Sequence, residues 1–454
     1  MRFGSLLLSL YAALAPLAVF ARSSTGDSVL VVLEPELKKE DYSILFKNLE
    51  SRGYELTFRA PSDKTPQVFV YDKPQFSHVL MLAPTTKSFA EDLSPQSLFY
   101  LLKEHPTTNI VVALSPKNTP LSAFAAEFSL GLPLPNTPLI SHFPARKTPH
   151  TTVFVSPTTS SNHVLTNGLS TVVFEGQAHM VGDNPLLVPI LYAPAESFSS
   201  DTTEDRSGDV VFEAADKGGE GLWAGSKMSL VTGFQATSSA RVTFVGGVKV
   251  FSDEFAKMEV APGKVSGNAQ LSKDITAWTF QESLVLRVDN ATHHLASDSS
   301  RTQKDRYTTN DRLTFTMELS QFDPTRGSYV PKSDVEDMQL AFTMLDPHVR
   351  TSLKPVAGQP GTYSVTFRAP DRHGVYKFIV DYKRKGLTPV HVSMLVPIVP
   401  PRHDGYPRFL SAAWPYYAGA ISTSLGFILF CVIYLGGEVE EERTRKAKGK
   451  GKVE

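Results

Sequence analysis

Two pairs of adjacent carboxylates, Asp253-Glu254 and Glu336-Asp337, and one pair of adjacent histidines, His293-His294, have side chains suited to proton transfer or metal ligation. Adjacent side chains point apart on a strand, and no carboxylate pattern near the histidines completes a metal site. The carboxylate pairs read most simply as solvated turns, although a glycosidase pair stays open because its two acids can lie far apart in sequence. His78 and His179 read as packed or solvated side chains. The run Gly218-Gly219-Glu220-Gly221-Leu222-Trp223-Ala224-Gly225-Ser226-Lys227 looks superficially like a phosphate loop. It lacks the Gly-Lys-Ser/Thr order and no strand leads into it, so it reads as a glycine-rich loop. The first strand-to-helix junction, Glu34-Pro35-Glu36-Leu37, is acidic and has no glycine to let backbone approach a pyrophosphate. No Gly-x-Ser-x-Gly elbow is present, and the single cysteine, Cys431, lies in an apolar C-terminal run. These residues point to no catalytic, cofactor or metal site in this chain.

The elements that would position such residues fall into two regions. A 41% hydrophobic and 20% charged composition is that of a folded chain, and a net charge of −1 with both signs dispersed gives no electrostatic footprint for nucleic acid. With no cysteine in the body, hydrophobic cores rather than disulfides must stabilise it. Ser28 to Leu33 is a continuous apolar run, as expected for a strand covered on both faces. Tyr42, Leu45, Phe46 and Leu49 recur at helical spacing, with Gly53 as a stop. Ser94-Pro95 starts a second helix that must end before Pro106, and Leu121 to Phe128 forms a third. Strands at Glu55 to Phe58, His78 to Leu82 and Asn109 to Leu114 alternate with these helices. The expectation is an α/β domain over residues 22–273 with a parallel, flavodoxin-like sheet. Short β-rich stretches follow from Thr152, and Phe198 to Gly221 reads as a surface loop. Residues 274–400 are expected to form an all-β sandwich, with alternation clearest in Tyr363, Val365, Phe367 and in Tyr376, Phe378, Val380.

The two ends give the topology. Arg2, an apolar run from Leu6 to Phe20, and Val19 and Ala21 at the −3 and −1 positions read as a signal peptide over residues 1–21. Pro16 interrupts that run, which argues against an uncleaved anchor. After a juxtamembrane linker at 401–415, residues 416–435 carry no charge, long enough at about 1.5 Å per residue to cross about 30 Å of hydrocarbon. Trp414, Tyr416, Tyr417 and Tyr434 flank this span, and the tail at 436–454 is rich in lysine and arginine, which marks the cytosolic side. Ala418, Ser422 and Gly426 recur at intervals that place small residues on one stripe, suited to close helix packing in lipid. Lys450 and Lys452 resemble a dilysine retrieval signal on a type I tail, although Gly451 separates them. Asn290-Ala291-Thr292 is an acceptor triplet for N-glycosylation, which implies a luminal surface loop if it is used.

Several of these segments, taken in order, resemble one family. They are Leu345-Asp346-Pro347-His348-Val349-Arg350, Gly374-Val375-Tyr376-Lys377-Phe378 with Asp381-Tyr382, Arg402-His403-Asp404, and Pro415-Tyr416-Tyr417 before the span. Val31-Val32-Leu33, Phe174-Glu175-Gly176, Ala240-Arg241-Val242 and Phe251-Ser252-Asp253 fit as well. Over essentially the whole mature chain the sequence is similar to the forty-eight-kilodalton subunit family of oligosaccharyltransferase. The resemblance implies an endoplasmic reticulum complex that moves a glycan from a dolichol-linked donor to Asn-x-Ser/Thr sites of nascent proteins. It implies that a separate multi-span subunit carries the chemistry, and that a ribophorin II-like and a defender-against-death-like subunit are neighbours. The family supplies no catalytic residue to carry over. The expected role is a non-catalytic assembly subunit. A luminal carbohydrate-binding module for the lipid-linked donor glycan, or a stand-alone luminal hydrolase, are the alternatives.

Overall fold

A computed structural model describes residues 23–143, 148–157, 163–199, 223–405 and 410–450. The signal peptide, most of the Phe198 to Gly221 loop, and Lys452 lie outside these described residues. Two compact units are present: one runs up to Asp305 and adds Arg312–Arg368 and Val375–Val396, the other comprises Arg306–Asp311, Ala369–Gly374 and the stretch from Pro397 onward.

The larger unit contains a nine-stranded mixed sheet. Its strands are β1 (Ser28–Leu33), β2 (Glu55–Arg59), β3 (His78–Leu82), β4 (Asn109–Ala113), β5 (Leu130–Gly131), β6 (His179–Val181), β7 (Leu187–Tyr192), β8 (Met228–Gln235) and β9 (Arg241–Val245). The order is β2-β1-β3-β4-β9-β8-β6-β5, with β7 also paired to β8. The first five strands in that order are parallel, and every pairing beyond β9 is antiparallel. The expectation of a parallel sheet therefore holds for only part of it. The cause is the short turn between β8 and β9, where Ala236 donates to the Ala240 carbonyl at 2.9 Å. A tight turn returns the chain antiparallel, whereas a parallel neighbour needs a long crossover.

Alternation along the parallel strands sends side chains into two cores. Val29, Val31, Leu80, Leu82 and Val111 pack with helix α1 (Ser43–Ser51), while Leu30, Val32, Val79, Met81 and Val112 pack with α2 (Pro95–Glu104) and α3 (Pro120–Glu127). That two-sided cover is why β1 reads as an unbroken apolar run. The Ser94 hydroxyl accepts from the Ser97 N–H at 3.2 Å and Pro95 occupies the first turn of α2, which fixes where that helix begins. Helices α4 (Asp253–Lys257) and α5 (Asn268–Thr279) follow β9, and Leu271, Ile275 and Trp278 of α5 join the first core.

Two further five-stranded sheets contain β10 (Leu286–Leu295), β11 (Arg312–Asp323), β12 (Gln339–Thr343), β13 (Pro347–Ser352), β14 (Thr362–Arg368), β15 (Gly374–Tyr382) and β16 (Val390–Val399). Phe315 of β11 and Phe367 of β14 meet Phe378 and Phe342 of the facing sheet, with ring centroids 5.4 Å apart for Phe315–Phe378 and 5.2 Å for Phe342–Phe367. The last element is α6 (Trp414–Lys450), which contains a stretch long and apolar enough to cross a membrane. Its 37 residues continue the helix well beyond residue 435, so the described part of the basic tail is helical.

Two buried histidines give the body a pH dependence. His78 stacks on Phe280 with centroids 4.3 Å apart, and His179 holds the Thr232 hydroxyl at 2.8 Å. Burial pushes their pKa values down from 6.5 to about 3 and about 4. Below pH 6.5 the unfolded chain therefore binds more protons than the folded one, so stability present above that pH is lost as the pH falls toward the folded values. These two histidines alone are expected to add close to two protons to what urea unfolding takes up near pH 5, a slope of about 2.7 kcal/mol per pH unit. A midpoint that does not change between pH 7 and pH 5 would contradict this.

Candidate functional site

Open α/β sheets hold ligands outside the carboxyl ends of their parallel strands, so that rim is the place to look. Strand order reverses between β1 and β3, where the chain steps first to one side of β1 and then to the other. At this point Glu34 follows β1 and is 7% exposed. One of its carboxylate oxygens accepts from the Thr85 hydroxyl at 2.5 Å and the Thr86 hydroxyl at 3.1 Å, both in the loop after β3. The other accepts from the Thr85 N–H at 3.4 Å. The acidic junction thus faces two threonines, and its carboxylate is used to fasten the neighbouring loop.

Beside it, past the ends of β3, β4 and β9, lies a cleft of about 240 Å³ lined by Thr85, Leu114, Ser115, Gly176, Gly247 and Lys249, among others. Its wall is built by close backbone approach. A Cβ on Gly246 would lie 1.9 Å from the Gln177 carbonyl oxygen, and the Gln177 N–H donates to the Gly246 carbonyl at 2.7 Å. Any side chain at Gly246 would separate the segment after β9 from the one after Phe174. Lys249 is paired with Glu175 at 2.6 Å, so that carboxylate too is engaged. The cleft offers hydroxyl and backbone groups for hydrogen bonding. Among the described residues no group of three or more His, Cys, Asp and Glu side chains is arranged to hold a metal ion.

The residues singled out in the sequence are dispersed. Asp253 is not a solvated turn residue: it is 8% exposed, begins α4, and accepts from the Ser43 hydroxyl at 2.6 Å and the Ile44 N–H at 2.9 Å, anchoring the start of α1. Burial raises its pKa, but the bonds from Ser43 and Ile44 and the nearby Lys257 outweigh that and hold it below the usual carboxylate range. Asp337 is paired with Arg384 at 2.5 Å. His293 and His294 both lie on β10 and are buried, and His293 stacks on Phe378 with centroids 4.8 Å apart. Asn290 is exposed, but on β10 rather than in a loop, beside a register shift between Val288 and Asn290. An edge strand tolerates such polar residues because one side and one face are free.

In α6 the Ser422 hydroxyl donates to the Gly419 carbonyl at 2.9 Å, so its polarity is satisfied within the helix. Nothing lies within 4 Å of where a Cβ on Gly426 would sit, and Ala418 shares this stripe. Lys450 is the last residue of the helix. Sequence reasoning missed the Glu34 clasp and the Glu175–Lys249 pair. The available signal was Thr85-Thr86 directly after a buried strand, which supplies hydroxyl donors beside an acidic junction.

Two family models match the chain in order: "OST48, N-terminal domain" over residues 20–282 and "OST48 middle domain" over residues 293–438. A Caenorhabditis elegans protein named as the dolichyl-diphosphooligosaccharide–protein glycosyltransferase 48 kDa subunit is 32% identical over 427 residues, covering 91% of this chain and 92% of that one. The protein of that name from Danio rerio is 31% identical over 92% of this chain and 94% of its own. The Drosophila melanogaster protein is 28% identical over 90% and 91%.

Proposed function

Since the chain belongs to the OST48 family, we infer that it is a non-catalytic assembly subunit of the endoplasmic reticulum oligosaccharyltransferase. In that role it supports transfer of a dolichol-linked oligosaccharide to asparagine in Asn-x-Ser/Thr sites of nascent proteins, while another, multi-span subunit carries the reaction. The observation that carries this inference is similarity along nearly the full length of both proteins, 91% of this chain and 92% of the relative. The chemistry of the rim is in keeping with it, because Glu34 and Glu175 are both committed to holding loops together.

The proposed topology is a signal peptide at 1–21, luminal regions at 22–273 and 274–400, a linker at 401–415, a span at 416–435 and a cytosolic tail. The order β2-β1-β3-β4-β9 among the parallel strands supports a flavodoxin-like reading of the first luminal region. Lys450 and Lys452 would serve retrieval to the endoplasmic reticulum, and Asn290 would carry a glycan on its exposed strand. Ribophorin II-like and defender-against-death-like subunits are the proposed neighbours, with the Ala418, Ser422, Gly426 stripe packing against other spans. Replacing those three residues with leucine is expected to reduce, several-fold, recovery of the multi-span transferase subunit with the tagged chain in mild detergent. Unchanged recovery would refute the packing role.

The rim cleft supports a second function, binding of the donor glycan, because it lies where such sheets hold ligands. Titrating the full-length chain with lipid-linked oligosaccharide tests it, and no saturable binding would remove it.

A further inference from the structure

The sheet that holds β12, β13, β15 and β16 buries one face, with Phe342, Tyr376, Phe378 and Val396 in the core. Alternation along the strands sends the residues between them outward. That outer face changes character along its length. At one end it is charged: Asp381 and His391 lie 3.7 Å apart, and Lys383 has Asp381 at 3.0 Å. At the other end the exposed side chains are apolar. Val375 at the start of β15 is exposed, and Leu395 near the end of β16 is 64% exposed. Met344 and Leu345 join them from the turn between β12 and β13, where Leu345 is 91% exposed. Thr343 pairs with Lys377, so that turn projects past the pair, toward the start of β15. Neighbouring apolar side chains left in water mark a surface that something covers.

The course of the chain says what covers it. β15 and β16 are neighbours joined by the turn at 383–389, so the start of β15 and the end of β16 lie at one end of the sheet. The apolar end is therefore the end from which the chain leaves for α6. Residues 400–413 separate Val399 from Trp414, and at about 3.3–3.6 Å per residue they tether that end within about 50 Å of the apolar helix. A tethered patch meets a bilayer at high effective concentration, so a weak affinity suffices. Lys377 and Arg350 are exposed beside the patch, and neither has an ion pair among the described residues. Such side chains lay an aliphatic stem along apolar surface and hold the charge at headgroup level. Asp346 is the turn's single carboxylate against these two cations.

We propose that Met344, Leu345, Val375 and Leu395 form a membrane-contact tip, which dips into the headgroup–acyl boundary of the bilayer that α6 crosses. A leucine at the apex of a short turn projects from the surface, and lipid accommodates it without a matching pocket. The charged end of the same face stays in water. The sheet is thereby held against the membrane by a second point of contact besides the span. This inference rests on α6 being the span.

The test reconstitutes the full-length chain in phosphatidylcholine vesicles. Leu345→Cys in a Cys431→Ser background carries a polarity-sensitive fluorophore, and Lys383→Cys carries it at the opposite end of the sheet. Native Cys431, labelled in the span, is the control. The label at position 345 is expected to shift to the blue and to be quenched by lipid bearing a nitroxide near the headgroup, at the depth of about 5–10 Å usual for interfacial side chains. The label at position 383 is expected to show neither change. Val375→Asp combined with Leu395→Asp, two exposed positions, is expected to abolish most of the quenching at 345. An unquenched label at 345 beside a quenched Cys431 label would overturn the proposal alone. A blue-shifted but unquenched label at 345 would show protein rather than lipid over the tip, and would overturn it equally. An unquenched Cys431 label would remove the span and this proposal together.

Discussion

Replacing Arg241 with methionine is expected to destabilise the protein by at least about 3 kcal/mol, because it removes four hydrogen bonds made by a charged, buried donor. Arg241 is wholly buried. One terminal nitrogen donates to the Trp278 carbonyl at 2.7 Å and the Ser283 carbonyl at 2.8 Å. The other donates to the Leu284 carbonyl at 2.9 Å and the Thr388 hydroxyl at 3.1 Å. Its guanidinium carbon lies 4.9 Å from the centroid of the Trp278 ring. One side chain from β9 thereby joins the end of α5, the segment entering β10, and the turn before β16. Among the described residues no carboxylate pairs with it, and burial pushes its pKa down to about 9. The desolvation cost is offset by the four charge-assisted bonds and the aromatic face. Methionine matches the aliphatic stem but leaves three carbonyls without this donor. Lysine keeps the charge, but a compact ammonium on a flexible stem cannot reproduce the fork, so Arg241→Lys is expected to lose most of the same stability. Urea unfolding checks both variants, and a loss below about 1 kcal/mol in Arg241→Met would mean the clamp has been misjudged.

Breaking the buried pair between Arg52 and Glu282 is expected to cost about 3–5 kcal/mol, because it strands a charge away from water. The Arg52 nitrogen lies 2.6 Å from the Glu282 carboxylate, and the two side chains are 5% and 6% exposed. The second Arg52 nitrogen donates to the Thr276 hydroxyl at 2.6 Å, and the Tyr54 hydroxyl donates to Glu282 at 2.6 Å. This network ties the end of α1 to the end of α5. Among the described residues, Arg52→Met alone leaves the carboxylate with only Tyr54. Removing both charges as Arg52→Met with Glu282→Met is expected to recover at least half of that loss, since an apolar pair carries no desolvation cost. A double variant that loses as much as the two single variants together would show the charges to be uncoupled.

The parts of the fold that showed in the sequence were those set by local rules. The continuous run of β1, the Ser94-Pro95 start of α2 and the alternation of Tyr376, Phe378 and Val380, all buried, follow from burial and capping within a few residues. What did not show depends on partners far away in the chain. β8 pairs antiparallel with β9 because of a short turn, and their apolar runs alone carry no direction. β10 extends to Leu295 through Asn290 and both histidines because it is an edge strand, where polar residues are compatible with pairing. Arg241 gave no signal of its role, since its partners are mostly backbone carbonyls. Glu34 read only as an acidic junction without glycine, and its attachment to Thr85 and Thr86 required the loop after β3 to be in place.

The central claim is that this chain contributes assembly rather than chemistry to a transferase. The most direct measurement is glycan transfer from a dolichol-linked donor to an Asn-x-Thr peptide, assayed on the tagged chain before and after a wash that strips it of its partners. Activity is expected to travel with the co-purified complex, to vanish from the stripped chain while that chain stays folded, and to reside with the multi-span subunit. A stripped, folded chain that still transfers glycan would contradict the account.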